Sequence, residues 1–287
     1  MKKNLFDSSE FDQLRYDRLI RNNPPAEKTY AIYFTARSGS SWLTDIAKQT
    51  GRLSDPGECF NPSFVPRMSK ALNTSDMDQY IEVLRRRRNT HGVFGFEATF
   101  YQIRVTFGAI EAFMAYFESA PCFWLIRQDI VQQAVSLYKM DVTQVTHKAH
   151  SDSESRAAAE AKFVYDREQI HYWVRHLLNK EIGTEAMFQE YGLTPLRLSY
   201  EVITAMSAHE VVNVIAHHIG EPAIPVGDLS TEHGKLGTSR NVEFATRFRE
   251  EEAEWMKEVK DTRAPWLSQI NRTPPTGLLP NGSSAST

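Results

Sequence analysis

Tyr30-Ala-Ile-Tyr-Phe-Thr-Ala-Arg-Ser-Gly-Ser-Ser-Trp-Leu-Thr-Asp-Ile-Ala47 decides how the chain folds. Its first six residues, Tyr30 to Thr35, form a dense β-branched and aromatic run, the mark of a buried strand. Residues 36 to 41 are small and polar. From Trp42 the apolar positions Trp42, Leu43, Ile46 and Ala47 recur at helical spacing up to Gly51. The segment reads as strand, tight loop, helix. Gly39 permits a sharp turn, and Ser38, Ser40 and Ser41 leave the amides at the helix N-terminus unobstructed, where the dipole favours an anion. Arg37 adds a forked donor for phosphate or sulfuryl oxygens, and Ser40 and Ser41 add hydroxyls. The plain alternative is a strand-to-helix turn with a capping serine. The full G-x-x-x-x-G-K-[ST] pattern is absent, which disfavours an ordinary nucleotide triphosphatase.

The same alternation continues downstream. A second strand is expected at His91 to Ala98 and a third at Pro121 to Ile126, with a helix over Thr106 to Ala120 between them. Asp129 can cap a helix running through Met140. Its apolar side is Ile130, Val131, Ala134, Leu137 and Tyr138, and its polar side is Asp129, Gln132, Gln133 and Ser136. Residues 141 to 156 read as a mobile polar loop. Ile170, Trp173, Val174, Leu177, Leu178 and Ile182 mark the buried stripe of a long helix that Gly192 stops. Pro195 to Tyr200 is a fourth strand, helices follow through Ile219, residues 221 to 240 lack periodicity, and 241 to 260 are helical and charged.

Strands alternating with helices imply an α/β fold, a mainly parallel sheet flanked by helices. Ligands in such sheets bind outside the carboxyl ends of the strands, here residues 36 to 41, 98 to 102 and 127 to 129. Residues 1 to 28 read as an N-terminal arm or short helix outside the core. Residues 29 to 262 form a single domain, and the Pro-, Ser-, Gly- and Asn-rich residues 263 to 287 a disordered tail.

The chain has 287 residues with 33 basic and 36 acidic side chains, enough length for a sizeable core without a disulfide or metal staple. A net charge of −3 excludes a general basic coat, so no nucleic-acid partner is expected. Cys59 and Cys122 are too few for a disulfide framework, and a reducing cytoplasm is the default compartment. The N-terminus lacks the apolar core of a secretory signal, and no run approaches the roughly 18 apolar residues of a membrane span.

Two further features suit phosphate. Arg127 leaves the third strand and Ser136 emerges two turns into the next helix, so together they could hold a second phosphate at a distance from the first. The alternative pairs Arg127 with Asp129 and leaves Ser136 solvated. Lys235 and Arg240 lie in the glycine-bearing segment Glu232 to Arg240, suited to a flap over a nucleotide phosphate or to a solvated loop. Arg85-Arg-Arg-Arg88 ends a helix, where cations favour the dipole. A solvated face is the first reading of that run, and docking of an anionic lipid or polysaccharide, a peripheral membrane contact, is the second.

Together these motifs resemble the sulfotransferases that use 3′-phosphoadenosine-5′-phosphosulfate, and more closely the bacterial trehalose sulfotransferase family. The resemblance lies in Ala36-Arg-Ser-Gly-Ser-Ser-Trp-Leu43, in Gln49-Thr-Gly51 with Pro56-Gly-Glu58-Cys-Phe60, and in Ile126-Arg-Gln-Asp129 through Gln133-Ala-Val-Ser136. Tyr165-Asp166, Tyr200-Glu201 and Ser239-Arg-Asn241 to Phe248-Arg249 extend it over residues 30 to 260. It implies a P-loop-like sulfotransferase fold and transfer of a sulfuryl group to a carbohydrate or glycolipid hydroxyl. The 5′-phosphosulfate would lie on Arg37, Ser38, Gly39, Ser40 and Ser41. The 3′-phosphate would lie on Arg127 and Ser136, completed by Arg240 and Lys235. A homodimer is implied by the same likeness.

The sequence departs from the family pattern at Glu97, where the family has Lys, at Gln128, where it has Pro, and at Cys59, where it has an aromatic. In-line sulfuryl transfer relies on positioning and electrostatic stabilisation, as phosphoryl transfer does, so Arg37 with the loop amides is the catalytic stabiliser and no metal is called for. Glu58 is the candidate general base for the acceptor hydroxyl. Glu97 is a second acid or a partner for Arg37. The alternatives are a Mg-dependent nucleotide kinase and a nucleotide-binding module without activity.

Overall fold

The computed structural model describes residues 5–144, 160–227, 229 and 238–271. Four strands form one parallel sheet: β1 (Lys28–Phe34), β2 (Val93–Ala98), β3 (Cys122–Ile126) and β4 (Leu196–Ser199), in the order β2-β1-β3-β4. The register sets Ile32 beside Glu97, Phe34 beside Leu125 and Ile126 beside Ser199, so every strand ends at the same edge. The chain moves one way from β1 to β2 and the other way from β1 to β3. The ends of β1 and β3 are therefore the topological switch point, where open α/β sheets bind ligands.

Both faces of the sheet are covered, as the near-continuous apolar strands require. Period-two alternation sends Tyr30, Ile32 and Phe34 toward α2 (Ser40–Gln49) and α10 (Ala208–His218). It sends Ala31 and Tyr33, with Phe94, Phe96 and Trp124, into an aromatic cluster on the other face. Gly95 is required on β2, because a Cβ there would stand 2.4 Å from the Tyr30 ring. A third apolar cluster joins α7 (Ile130–Thr143), α8 (Arg167–Glu190), α11 (Ser239–Glu251) and α12 (Ala253–Leu267).

Several expectations change. The helix read over Thr106 to Ala120 is two, α5 (Phe100–Phe107) and α6 (Ile110–Phe117), divided at Gly108, whose φ of +81° ends the first. A Thr99 and Gln102 capping box starts α5 six residues earlier than the apolar pattern suggested. Ile182 is exposed, and its neighbour Glu181 is buried in its place. The arm contains α1 (Gln13–Asn22), which buries no residue, yet Leu5 and Phe6 pack against the core. The boundary expected at 262 falls inside α12, which buries Arg263 and Trp266.

α3 (Val65–Leu72) and α4 (Met77–Arg87) complete the layer under α1, and α9 (Tyr200–Ile203) is a single turn after β4. The arginine run at the end of α4 is mostly a set of staples. Arg85 donates to the Ala26 carbonyl, Arg86 to Glu82 and to the carbonyls of Ile20 and Asn23, and Arg88 to the Asp55 carbonyl. Arg87 is exposed. Most of the loop expected at 141 to 156 lies outside the described residues, although α7 reaches Thr143. No helix among the described residues is long and apolar enough to cross a membrane.

Candidate active site

The loop after β1 makes the sharp turn expected at Gly39, and Arg37 is left-handed as well. Arg37 has φ +66° and Gly39 φ +92°, so two left-handed residues turn the chain from strand to helix within five positions. The Tyr200 ring stands over Gly39, where a Cβ would lie 2.8 Å from its Cδ2. Ser40 and Ser41 open α2, and Gly39 is its N-cap with no side-chain cap. The first amides of α2 thus have no side-chain cap acceptor, the condition for an anion at a helix N-terminus.

The two phosphate motifs meet. Arg37 Nε donates to Ser136 Oγ at 3.0 Å, and Arg127 Nη1 donates to the Arg37 carbonyl at 3.3 Å. Arg127 lies 4.7 Å over the Tyr200 ring, a cation–π contact. Burial and the adjacent Arg127 charge both push the Arg37 pKa down. Two guanidiniums this near each other are suited to an anion.

Gln133, assigned to the polar side of its helix, is fully buried. Its Nε2 donates to Thr35 Oγ1 at 2.9 Å and to the Ala36 carbonyl at 2.8 Å, so it fixes the loop from α7. Asp129 caps α7 by accepting from the Gln132 amide. It does not pair with Arg127; it accepts both bonds from Arg249 Nη2, at 2.6 and 2.7 Å.

The backbone after β3 is held from three sides. Glu201 accepts from the amides of Gln128 and Asp129, and Gln128 Nε2 donates to Ser199 Oγ. Arg263 donates to the carbonyls of Arg127 and Gln128 at 2.6 and 2.7 Å, and by its fork to Glu181 at 2.8 and 2.9 Å. Trp266 Nε1 completes the Glu181 carboxylate at 2.9 Å. Sequence reading missed Arg263 because it stood beyond the expected domain boundary. Its signal is Trp266 three residues on, one helical turn along the same face.

The acids gather on the β2 side. Glu58 Oε2 accepts from Asn61 Nδ2 at 2.8 Å and also from Gln102 Nε2. Glu97, 5% exposed near the end of β2, donates its amide to the Gly57 carbonyl. Burial, then the Glu58 charge, pushes its pKa up to about 8. It is not the partner of Arg37, which donates to Ser136 instead.

Buried polar atoms without a protein partner point to the same place. Among the described residues seven side-chain N or O atoms are in that state, and four of them, Ser38 Oγ, Arg127 Nε, Gln133 Oε1 and Glu97 Oε2, surround the switch point. Such atoms are costly unless a ligand or water satisfies them. Arg240, in the first turn of α11, donates instead to the carbonyls of Glu160 and Phe163. Lys235 lies outside the described residues.

The family model for Stf0 sulphotransferase matches residues 29–251. The chain belongs to this sulfotransferase family. The trehalose 2-sulfotransferase of Mycobacterium tuberculosis (strain ATCC 35801 / TMC 107 / Erdman) is 24% identical over 264 residues, covering 79% of this chain and 96% of the relative. The sulfotransferase crystal structure from Alicyclobacillus acidocaldarius superposes with a TM-score of 0.52 at 20% identity, over 86% of this chain and 97% of the other. This Stf0 sulfotransferase therefore has the α/β sulfotransferase fold, and the resemblance drawn from its phosphate motifs holds at the level of family and of enzyme class.

Proposed function

We propose that this sulfotransferase moves the sulfuryl group of 3′-phosphoadenosine-5′-phosphosulfate to a hydroxyl of a carbohydrate or glycolipid. The observation that carries the reading is the contact of Arg37 with Ser136 and Arg127 at the switch point, which joins the two phosphate motifs into one cationic site. The orphaned Ser38 Oγ and Arg127 Nε beside it are donors that suit an anion. The 5′-phosphosulfate is assigned to the α2 N-terminus with Arg37, Ser38, Gly39, Ser40 and Ser41. The 3′-phosphate is assigned to Arg127 and Ser136, with Lys235 and Arg240 closing over it.

In-line attack sends the acceptor oxygen to sulfur as the bond to the 5′-phosphate oxygen breaks. The charge then spread over the sulfuryl oxygens lies next to Arg37 and the loop amides. Glu58 takes the acceptor proton. Asn61 and Gln102 both donate to its Oε2, which orients the carboxylate and leaves Oε1 for the hydroxyl. Trehalose, named in the mycobacterial relative, is the first acceptor to try. A cytoplasmic setting and a homodimer remain part of the proposal.

Calorimetric titration with adenosine 3′,5′-bisphosphate, beside its analogue lacking the 3′-phosphate, tests the donor site. Tight binding of the bisphosphate alone supports the reading, and binding of neither overturns it. Glu58→Gln should keep that affinity and lose roughly 10²–10⁴-fold in turnover. An unchanged rate would remove Glu58 from the role of base.

A further inference from the structure

A cavity of about 320 Å³ opens between α1, the end of α3 and the end of α4. Arg15 and Arg18 line it from α1 and Arg87 from α4, with Leu19, Asn22 and Leu72 between them, and no acid is among its lining residues. Positions 15, 18, 19 and 22 recur at helical spacing, so α1 turns one continuous stripe into the cavity. The fold does not use these guanidiniums. Arg15 donates only to the Ala71 carbonyl, at 3.2 Å, and Arg18 and Arg87 make no hydrogen bond or ion pair among the described residues. The carbonyls at the end of α1 are already served by Arg86, which donates to Ile20 and Asn23. The acids nearby are engaged as well: Asp17 by Gln13, Glu82 by Arg86 and Glu10 by Lys70. Like charges around one cavity repel each other until an anion joins them.

We propose that this cavity takes the headgroup phosphate of an anionic phospholipid and seats α1 on a membrane surface. Three forked guanidiniums match the oxygens of a phosphate ester. A second stripe of α1, adjoining the first at Arg18, favours a lipid over a free phosphate ester: Leu14, Arg18 and Arg21 stand at i, i+4 and i+7. Leu14 is 78% exposed. An apolar side chain set among arginines on one arc of a helix suits the boundary between headgroups and acyl chains. Of the arginine run at the end of α4, Arg87 is the member that faces the cavity. The inference is independent of the donor assignment. Asn22 and Arg87 precede β1 and β2, at the amino ends of the strands, whereas the donor site lies at their carboxyl ends.

The test is co-sedimentation of the full chain with phosphatidylcholine vesicles, with and without phosphatidylglycerol, beside titration with soluble glycerol phosphate. Wild type should bind the phosphatidylglycerol vesicles alone, and less as salt rises. Arg18→Ala and Arg87→Ala, which each remove a charged donor from the cavity, should weaken that binding roughly ten- to a hundredfold. Arg21→Ala removes a charge from the same helix outside the cavity and should cost no more than about fivefold. Equal losses for Arg21→Ala and Arg87→Ala would show general attraction to a basic surface and would overturn the cavity. Leu14→Ser should weaken vesicle capture and leave any affinity for glycerol phosphate unchanged. Glycerol phosphate bound without vesicle capture would make this a site for free phosphate esters and overturn the membrane seat. Binding to neither probe would overturn the site altogether. All four side chains are exposed, so each variant should unfold at the wild-type midpoint and bind adenosine 3′,5′-bisphosphate as wild type does, whatever the outcome for the donor site.

Discussion

Two buried glutamates flank the sheet ends, and their company is opposite. On the α8 and α12 side, Glu181 is fully buried and receives the Arg263 fork and the Trp266 indole. On the α2 side, Glu97 is nearly as buried, but its Oε2 has no partner and Glu58 brings a like charge. A buried carboxyl must be either paired or protonated. Glu181 takes the first course and becomes part of the scaffold, since Arg263 also holds the carbonyls of Arg127 and Gln128. Burial and the Glu58 charge push Glu97 toward the second. The same residue type is rigid structure on one side and a titrating group on the other, decided by whether a guanidinium is within reach.

Arg263→Ala should have the largest effect on stability. It leaves Glu181 buried without its cation and frees two carbonyls at the end of β3, at a cost of about 3–5 kcal/mol. Denaturant unfolding measures it, and a loss below about 1 kcal/mol would break the contrast between the two glutamates. Arg263→Lys restores charge without the fork and should recover only part of the loss.

The pH dependence of stability sharpens the other half. Glu97 holds its proton up to about pH 8 in the fold, against an ordinary value of 4.5 in the unfolded chain. The native state therefore binds more protons between those values, and wild type should lose stability as pH rises from about 4.5 to about 8, then level off. The slope contributed by this group is at most about 1.4 kcal/mol per pH unit. Glu97→Gln should remove that component and be the more stable form at pH 9. Parallel wild-type and variant curves would show that Glu97 titrates normally.

Next in size is Arg127→Ala, which removes a charged donor from the proposed 3′-phosphate and should weaken the bisphosphate by about 1.5–3 kcal/mol, roughly ten- to a hundredfold. The fold should hold, because Arg263 grips the carbonyl of residue 127 and not its side chain. Equal affinity for the analogue lacking the 3′-phosphate is the diagnostic result in the variant.

Legibility in the sequence followed range along the chain. The strand, loop and helix at 30 to 47 were readable because Gly39, the serines and the apolar spacing all act locally. Arg127 and Ser136 were readable as a pair on one strand-helix unit, but their meeting with Arg37 depends on β1 and β3 lying side by side. Gln133 and Ile182 were misplaced for one reason: periodicity counts polarity, and both positions invert it. Gln133 is buried because it bonds a loop almost a hundred residues away, and Ile182 is exposed because the stripe turns toward Glu181. In the sequence Glu97 stands out as a departure from the family pattern and reads as a second acid or a partner for Arg37. Its lack of a cation is a property of three dimensions, since Arg37 lies within the same cluster of loops but bonds elsewhere.

The smallest expected effect separates backbone strain from packing at the loop. Gly39→Ala places a Cβ on a residue with φ +92° and 2.8 Å from Tyr200 Cδ2. The left-handed backbone alone costs about 1–2 kcal/mol. The ring contact adds a second penalty, and it falls on the ring that carries Arg127. Stability should therefore drop by about 1–2 kcal/mol or slightly more, and bisphosphate affinity should fall severalfold as the ring shifts beneath the guanidinium. Repeating the substitution in a Tyr200→Ala background distinguishes the two causes, because neighbours that share a contact are non-additive. If packing matters, Gly39→Ala costs less there than in wild type. If the cost is identical in both, the ring does not press on the loop, and Tyr200 serves Arg127 alone.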